Sequence, residues 1–305
     1  MRAGHEGHGA RGSGPGPVPS LALGMLLAAV ASSSYGLAIT LTRLAFDGGA
    51  NPGTVMVLRY LMAVAVIATV LRALGWSFRP PGALHGSLVR LALGNFGVTL
   101  GYMTSILFIP VSLATVVFYT YPLLVMTVVP IVQNTRLGFR QYAAFGLAFT
   151  GLALALGPSF EALDGRGVAL ALLAAASAAY VFIVSPRVVG AYHAVGVSLY
   201  VNLAGIGLAG LFLASTGGIQ LPESALGWTG LGGVGLFYVI GTLSMFLALH
   251  GAGSLRSSLI FNLEPVVVIC AAAVLLGERL APLQIAGVAL VVAALTLASL
   301  ARAKA

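Results

Sequence analysis

The chain has 305 residues, of which 59% are hydrophobic and only 7% are charged. A soluble domain carries roughly 25% charged residues because its surface must face water, so the composition excludes soluble domains. It also excludes a disordered chain, which would be poor in apolar residues. The net charge of +8 does not indicate nucleic-acid binding, because the basic residues are scattered singly along the sequence and form no basic patch. The sequence is that of a polytopic membrane protein.

Apolar runs follow one another along the chain after a Gly- and Pro-rich start. Residues 1–19 contain no apolar stretch and are predicted to be a disordered cytoplasmic tail. A helix needs about 20 residues to cross the hydrocarbon core, and barrel strands would alternate apolar and polar residues, which these runs do not. The sequence therefore predicts an all-α fold with ten transmembrane helices, at residues 21–43, 54–74, 87–108, 112–132, 139–157, 166–189, 196–215, 226–250, 255–276 and 281–301.

The basic residues predict the orientation of the chain. With the amino terminus inside, most Arg and Lys residues lie on the internal side, and only Arg43, Arg166 and Arg279 lie outside. Because basic residues are enriched in cytoplasmic loops, we expect both termini to be cytoplasmic.

The two halves of the sequence share polar landmarks. Tyr121-Pro122 and Glu264-Pro265 are each followed by an apolar run and are 143 residues apart, and Tyr35 corresponds to Tyr180 within the similar segments at residues 32–43 and 177–187. We place the repeats at residues 20–160 and 161–305. Each repeat contains five predicted spans, so the second would enter the membrane with opposite polarity. A 5+5 inverted repeat is typical of secondary transporters, whose substrate site lies between the repeats near the bilayer midplane.

Residues 248–295 resemble the terminal repeat of EamA-type members of the drug/metabolite transporter superfamily. The shared features are Glu264-Pro265, the corner Gly277-Glu278-Arg279-Leu280, Pro282-Leu283-Gln284 and Gly287. The first half is similar through Leu58-Arg59-Tyr60 and Tyr121-Pro122, although its corner at residues 133–137 lacks the acidic residue. The resemblance implies a ten-helix carrier of small metabolites in the inner membrane, often an exporter.

Two charged residues inside predicted spans are the first site candidates. Glu264 lies near the middle of its span, where a carboxylate is costly unless it is paired, hydrated or protonated. It is a candidate proton-coupling group or contact for a substrate ammonium, and alternatively a structural partner for the backbone beside Pro265. Arg59 could clamp a substrate carboxylate with its fork of donors, or act structurally by pairing with Asp47 or capping helix carbonyls.

Polar and aromatic residues in the middle of the spans complete the predicted site. Such side chains suit a cavity for amphipathic metabolites, which needs apolar walls and a few hydrogen-bonding groups. The alternative for each residue is hydrogen bonding between helices. The spans that would line the cavity in the family's fold carry Ser34, Tyr35, Asn95, Tyr102, Tyr119, Tyr121, Tyr180, Tyr238 and Asn262.

The sequence predicts a secondary transporter that works by alternating access. The expected cargo is an amino acid or similar amphipathic metabolite, moved outward across the inner membrane, with protons as the candidate coupling ion and a monomer or homodimer as the assembly. Phosphorylated metabolites or nucleotide-sugars would call for several buried basic residues, and only Arg59 lies well inside a span. A membrane enzyme would need clustered carboxylates or histidines. We expect no enzymatic activity, cofactor or metal.

Overall fold

The computed structural model describes residues 17–105, 108–109, 111–134, 138–156, 164–215, 217–275 and 281–300. Residues 1–16 of the expected tail lie outside this part of the chain, as do Glu278 and Arg279 of the family-like corner. Every regular element within the described ranges is a helix.

Twelve α-helices in the described ranges form ten crossings of the bundle. In the first half these are α1 (Leu21–Asp47), α2 (Pro52–Leu74), α3 (His85–Ser105), α4 (Val111–Phe118), α5 (Tyr121–Gln133) and α6 (Phe139–Leu156). The second half has α7 (Gly165–Ala191), α8 (Ala194–Ser215), α9 (Ala225–Gly251), α10 (Gly253–Ile260), α11 (Leu263–Leu275) and α12 (Pro282–Leu300). Helices α4 and α5 together make one crossing, and so do α10 and α11. The predicted all-α, ten-span fold is confirmed.

The fourth and ninth crossings are each interrupted halfway, where the sequence had predicted unbroken helices at 112–132 and 255–276. The first interruption lies at Tyr119–Thr120 and the second at Phe261–Asn262. Each precedes a proline, Pro122 or Pro265, that lies in the first turn of the following helix. Proline lacks the N–H needed for the helical hydrogen bond and clashes with the carbonyl four residues earlier, so the preceding half-helix ends near that residue.

The most extensive helix packing joins one half of the chain to the other. The pairs are α1 with α9, α3 with α7, α2 with α8, and α6 with α12. If the two halves are exchanged, the α1–α9 pair becomes the α7–α3 pair. The α2–α8 and α6–α12 pairs each remain the same pair. Equivalent glycines also contact the related tyrosines, since Tyr35 packs on Gly241 of α9 and Tyr180 packs on Gly94 of α3. The 5+5 inverted repeat is therefore confirmed.

Glycines bring α1 and α9 close along their whole length. Gly24, near the start of α1, lies against the backbone of Gly251, and Gly48, just beyond its end, lies against Gly227. The two helices therefore run antiparallel, with little space between their backbones, as small residues allow in membrane bundles. We call the end of the bundle where α1 begins the near side and the opposite end the far side.

Substituting Gly230 of α9 is expected to destabilise the fold. A Cβ at this position would lie 2.7 Å from the Ala45 nitrogen and 2.9 Å from the Leu41 carbonyl oxygen of α1, and backbone atoms cannot move aside alone. We expect Gly230→Ala to lower stability by about 1–3 kcal/mol, as overpacking does. Thermal unfolding in detergent micelles measures this.

Gly232, two residues further along the same helix, provides the matched control. A Cβ there would have no atom within 4 Å. Gly232→Ala should stabilise the protein slightly, because Ala is favoured over Gly in a helix by up to about 1 kcal/mol. Equal melting temperatures for the two variants would contradict the close α1–α9 packing.

On the near side, the loop after α2 is held by the junction between α7 and α8. The Ser77 carbonyl accepts a hydrogen bond from the Tyr192 hydroxyl at 2.9 Å and contacts His193 Nε2 at 3.1 Å. The Tyr200 hydroxyl donates to the Phe78 carbonyl at 2.9 Å. These contacts tie the first half of the chain to the second at this end.

On the far side, the equivalent loop of the second half is held by the junction between α1 and α2. Asn51 Nδ2 donates to the Gly218 carbonyl at 2.8 Å, and the Gln220 amide donates to Thr54 Oγ1 at 2.9 Å. The Glu223 amide donates to the Gly48 carbonyl at 2.8 Å. The same arrangement thus recurs at both ends of the bundle, as an inverted repeat requires.

His193 should make the stability of the protein depend on pH. It is buried, its Nδ1 accepts a hydrogen bond from the Gly196 amide at the start of α8, and burial lowers the pKa of its imidazole. Below the ordinary pKa of about 6.5, the unfolded chain binds a proton that the folded chain does not. Stability is therefore complete above this pH and falls as the pH drops towards the lower folded pKa.

Melting curves of His193→Asn between about pH 7.5 and 5 test the role of this imidazole. This range extends roughly one unit or more on each side of the ordinary pKa of histidine. Asn can cap a helix without titrating, so the variant should lose the decline in stability at low pH. His193→Ala should lose about 1 kcal/mol at neutral pH because it removes the cap. Substitution of the exposed His85 by Asn is the control. A decline in stability at low pH that persists in His193→Asn would contradict the assignment to His193.

Candidate functional site

A continuous chain of aromatic side chains runs through the middle of the bundle. Neighbouring ring centroids are 5.1 to 6.1 Å apart, which is within the usual range for interacting aromatic rings. The chain links helices of both halves in the order Tyr102, Phe118, Tyr121, Phe182, Phe261, Tyr35, Tyr238 and Tyr60. The two charged residues inside the bundle, Arg59 and Glu264, lie beside it and are half-buried.

Glu264 lies near the middle of the bundle. A Cβ on Gly36 of α1 would lie 2.8 Å from the Glu264 carbonyl oxygen, and Gly36 is close to the midpoint of α1. Glu264 is in the first turn of α11, where the helix dipole favours a negative charge. Glu264 is only half-buried although it lies in the middle of the bundle.

The neighbours of the Glu264 carboxyl are mainly tyrosines of the first half. Four tyrosines interact with it electrostatically: Tyr35, Tyr102, Tyr119 and Tyr121. Tyr119 is close to the carboxyl, but its hydroxyl has no well-aligned hydrogen-bond partner. The structure shows no ion pair for Glu264 and no hydrogen bond from its side chain to the backbone among the described residues. The backbone contact considered for a structural role beside Pro265 is therefore not made.

Arg59 is the second charged residue at this site. Its guanidinium carbon lies 4.7 Å from the ring centre of Tyr238 and 5.1 Å from that of Tyr60, distances typical of cation–π contact. Its Nε is buried without a hydrogen-bond partner. Asp47, considered as its ion-pair partner, instead pairs with Arg43 at 3.1 Å. Arg59 therefore keeps donor capacity for a further group.

Tyr35 lies between the two charges. Its ring contacts those of Tyr238 and Phe261, and its hydroxyl interacts electrostatically with both Glu264 and Arg59. The two charges form no ion pair with each other in the described structure. One tyrosine thus interacts with both a carboxyl and a guanidinium.

The predicted residues on α3 share one face of that helix. Asn95, Thr99 and Tyr102 are spaced four and three residues apart, which aligns them on one side. Thr99 Oγ1 is 3.4 Å from the Tyr60 hydroxyl, and Tyr102 bonds Thr115 at 2.7 Å close to Glu264. The half-buried Asn95 therefore belongs to the face of α3 that looks towards the cavity.

The structure places two predicted residues away from this cluster. The Asn262 side chain is buried and donates to the Leu259 carbonyl at 2.9 Å, so it satisfies the end of α10 at the interruption. Tyr180 packs on Gly94, on a different face of α7 from Phe182, since residues two apart differ by about 200° around a helix.

Several site residues were absent from the sequence-based set. Tyr60 contacts the Arg59 guanidinium, and Phe118, Phe182 and Phe261 complete the aromatic chain. Tyr60 adjoins Arg59, which was a usable signal. An aromatic residue within an apolar helix carries no such signal, because the sequence is the same whether its ring faces lipid, protein or a cavity.

The two interrupted crossings are packed unequally at the two ends of the bundle. On the near side α5 packs against α10, and Leu123, Met126, Leu255 and Leu259 share one apolar cluster. On the far side no comparable packing joins α4 to α11 within the described ranges. Exchange of the two halves would convert one contact into the other, so in the described ranges the interrupted crossings pack more closely on the near side than on the far side.

The fold defines a class of protein, a ten-span inverted-repeat membrane protein. The model of the EamA-like transporter family matches the chain twice, over residues 22–157 and 165–300. The chain therefore belongs to the EamA-like transporter family, which confirms the resemblance seen in the sequence. It is a multi-pass membrane protein of a family of small-molecule transporters.

Comparison with other proteins adds support for the fold. A solved crystal structure that is 20% identical in sequence superposes with a TM-score of 0.78, covering 91% of this chain and 97% of its own. At this level of identity the likeness concerns the fold alone. No curated protein sequence matches the chain significantly.

Proposed function

We propose that this transporter carries small zwitterionic metabolites, such as amino acids, outward across the inner membrane. The observation that supports this is the pair of opposite charges, Glu264 and Arg59, which flank Tyr35 without neutralising each other. Unpaired charges inside a membrane bundle are costly and are kept for function. A ligand with an ammonium and a carboxylate would complement both.

The aromatic chain would contact the apolar part of such a ligand. Its rings offer an apolar surface beside the two charges, as sites for amphipathic molecules do. The alternative cargoes, phosphorylated metabolites and nucleotide-sugars, carry at least two negative charges. They would meet the single guanidinium of Arg59 next to the carboxyl of Glu264, which disfavours them.

During transport, each repeat would adopt the conformation that the other repeat has in the present arrangement. In the present arrangement the near-side contact between α5 and α10 blocks one exit. In the alternate arrangement α4 and α11 would close the far side while α5 and α10 separate. Because the repeats are inverted, the same local rearrangement in the opposite half produces the opposite opening. Protons are the proposed coupling ion, with Glu264 as the group that binds them.

Counterflow in liposomes tests the proposed cargo. Purified protein is reconstituted with an unlabelled amino-acid mixture inside and labelled amino acids outside. A carrier of zwitterions should accumulate label transiently. It should be inhibited by added amino acids but not by the matching amines or deaminated acids, each of which lacks one charged group.

Two results would contradict the proposal. Inhibition by sugar phosphates or nucleotide-sugars, with no response to amino acids, would favour the alternative cargo. Equal inhibition by amines and by amino acids would show that the carboxylate is not recognised at Arg59. Excretion of amino acids by cells that overproduce the protein tests the outward direction separately.

A further inference from the structure

Two hydroxyl groups next to Glu264 are not used as hydrogen-bond donors to strong acceptors. Among the described residues the buried Tyr119 hydroxyl makes no hydrogen bond of good geometry, although it lies within hydrogen-bonding reach of the Glu264 carboxyl. The Tyr35 hydroxyl is close to Thr242, and its hydrogen bond goes to Met245 Sδ at 3.9 Å. A thioether sulfur is a weak acceptor. Both hydroxyls therefore have donor capacity left beside a carboxyl.

An unpaired hydroxyl inside the bundle destabilises the fold, because its donor has been removed from water without replacement. Phenylalanine would fill the space of Tyr119 without this cost. The hydroxyl is therefore expected to be used in another state of the protein. Ionisation of Glu264 is a chemical change next to it that turns a weak acceptor into a strong one.

The other groups that face Glu264 are already engaged or neutral. Tyr102 bonds Thr115 at 2.7 Å, and Tyr121 stacks on Phe118 and Phe182. Of the helices packed against α11, α12 contributes no titratable side chain, and the charged residues of α1, Arg43 and Asp47, pair with each other at its far end. Arg59 reaches Tyr35 but forms no ion pair with Glu264 in the described structure.

We propose that Tyr119 and Tyr35 are positioning residues that stabilise the ionised form of Glu264 during the transport cycle. When the carboxyl gives its proton to water in the cavity, both hydroxyls turn towards it and donate hydrogen bonds, while keeping their own protons. The first half of the chain thereby controls proton release from the second half. This inference rests on the proposed function, in which Glu264 is the proton-binding group.

Proton-driven uptake by Tyr119→Phe, measured as a function of pH, tests the inference. Without one donor the carboxylate is less stable, so Glu264 should hold its proton to higher pH. The midpoint of the pH profile should move upward by about one unit, corresponding to about 1.4 kcal/mol. Tyr35→Phe should move it in the same direction. Tyr142→Phe, on the exposed surface of α6, is the matched control and should keep the wild-type profile.

A spectroscopic measurement does not depend on transport. The infrared band of the protonated carboxyl, assigned by its loss in Glu264→Gln, should persist to higher pH in Tyr119→Phe than in the wild type. A band and a pH profile that both match those of Tyr142→Phe would overturn the inference.

Counterflow separates this inference from the proposed function. Counterflow requires no net proton movement, so it tests the cargo of the wild type independently of proton release from Glu264. If the wild type itself shows no counterflow, the proposed function fails whatever the tyrosines do. If counterflow and proton-driven uptake are normal in the wild type and Tyr119→Phe shifts neither the profile nor the band, the inference alone fails.

Discussion

Glu264→Gln should abolish the response of transport to a proton gradient. Glutamine has the shape of the protonated side chain but cannot release a proton, so accumulation driven by an imposed gradient should fall to the level seen without one. The pH dependence of transport should become flat. If the carboxylate also holds the substrate ammonium, KM should rise roughly 10- to 100-fold, since a hydrogen bond to a charged group contributes about 1.5–3 kcal/mol.

Uptake into liposomes with and without a pH gradient measures this effect. Glu264→Asp keeps an ionisable group and should retain partial coupling. Glu223→Gln is the control, because Glu223 is an exposed carboxylate on the far-side loop. A Glu264→Gln protein with the wild-type pH dependence would show that another group binds the proton.

A disulfide between α4 and α11 should stop transport by locking the far side shut. Leu259 and Leu123 share the near-side cluster, and a shift of 143 residues between the halves relates them to Val116 and Val266. Val116→Cys with Val266→Cys should therefore crosslink only in the alternate state. A disulfide needs Cα atoms closer than about 7 Å, and the native Cys270 is first replaced by Ala.

The near-side pair provides the matched comparison. Leu123→Cys with Leu259→Cys should crosslink readily in the state described here and also stop transport. Reduction should restore activity in both cases. Substrate should increase crosslinking of the far-side pair, because cycling populates the alternate state. Efficient crosslinking of Val116→Cys and Val266→Cys with transport unaffected would contradict the exchange of conformations between the repeats.

The fold was largely predictable because the bilayer imposes strong rules on sequence. Helices must supply all their own backbone hydrogen bonds in lipid, so the apolar runs predicted ten crossings. Tyr121-Pro122 and Glu264-Pro265 also revealed the repeat. The interruptions were not predicted, although both prolines were noted. A proline in a membrane helix leaves it kinked or broken depending on how its neighbours satisfy the freed carbonyls, which the local sequence does not state.

Charges were the part of the site that sequence could identify. A carboxylate or guanidinium within an apolar run is costly wherever it lies, so Glu264 and Arg59 stood out without structural information. The direction in which an aromatic side chain points has no free-energy cost that can be recognised in the sequence. Tyr180 and Asn262 were therefore grouped with the cavity residues, whereas the structure places Tyr180 against Gly94 and Asn262 at the end of α10.

The sequence by itself determined that the chain lies in a lipid bilayer, how many times it crosses the bilayer, that it contains an inverted repeat, and which two charged residues lie within the spans. These follow from composition and from periodicity, which are local properties of the chain. Only the tertiary structure showed that Arg59 and Glu264 both interact with Tyr35, that Tyr119 is near the Glu264 carboxyl, and that α5 packs against α10 on the near side. These depend on contacts between helices distant in sequence, whose rotation about their axes is fixed only when the two halves pack together.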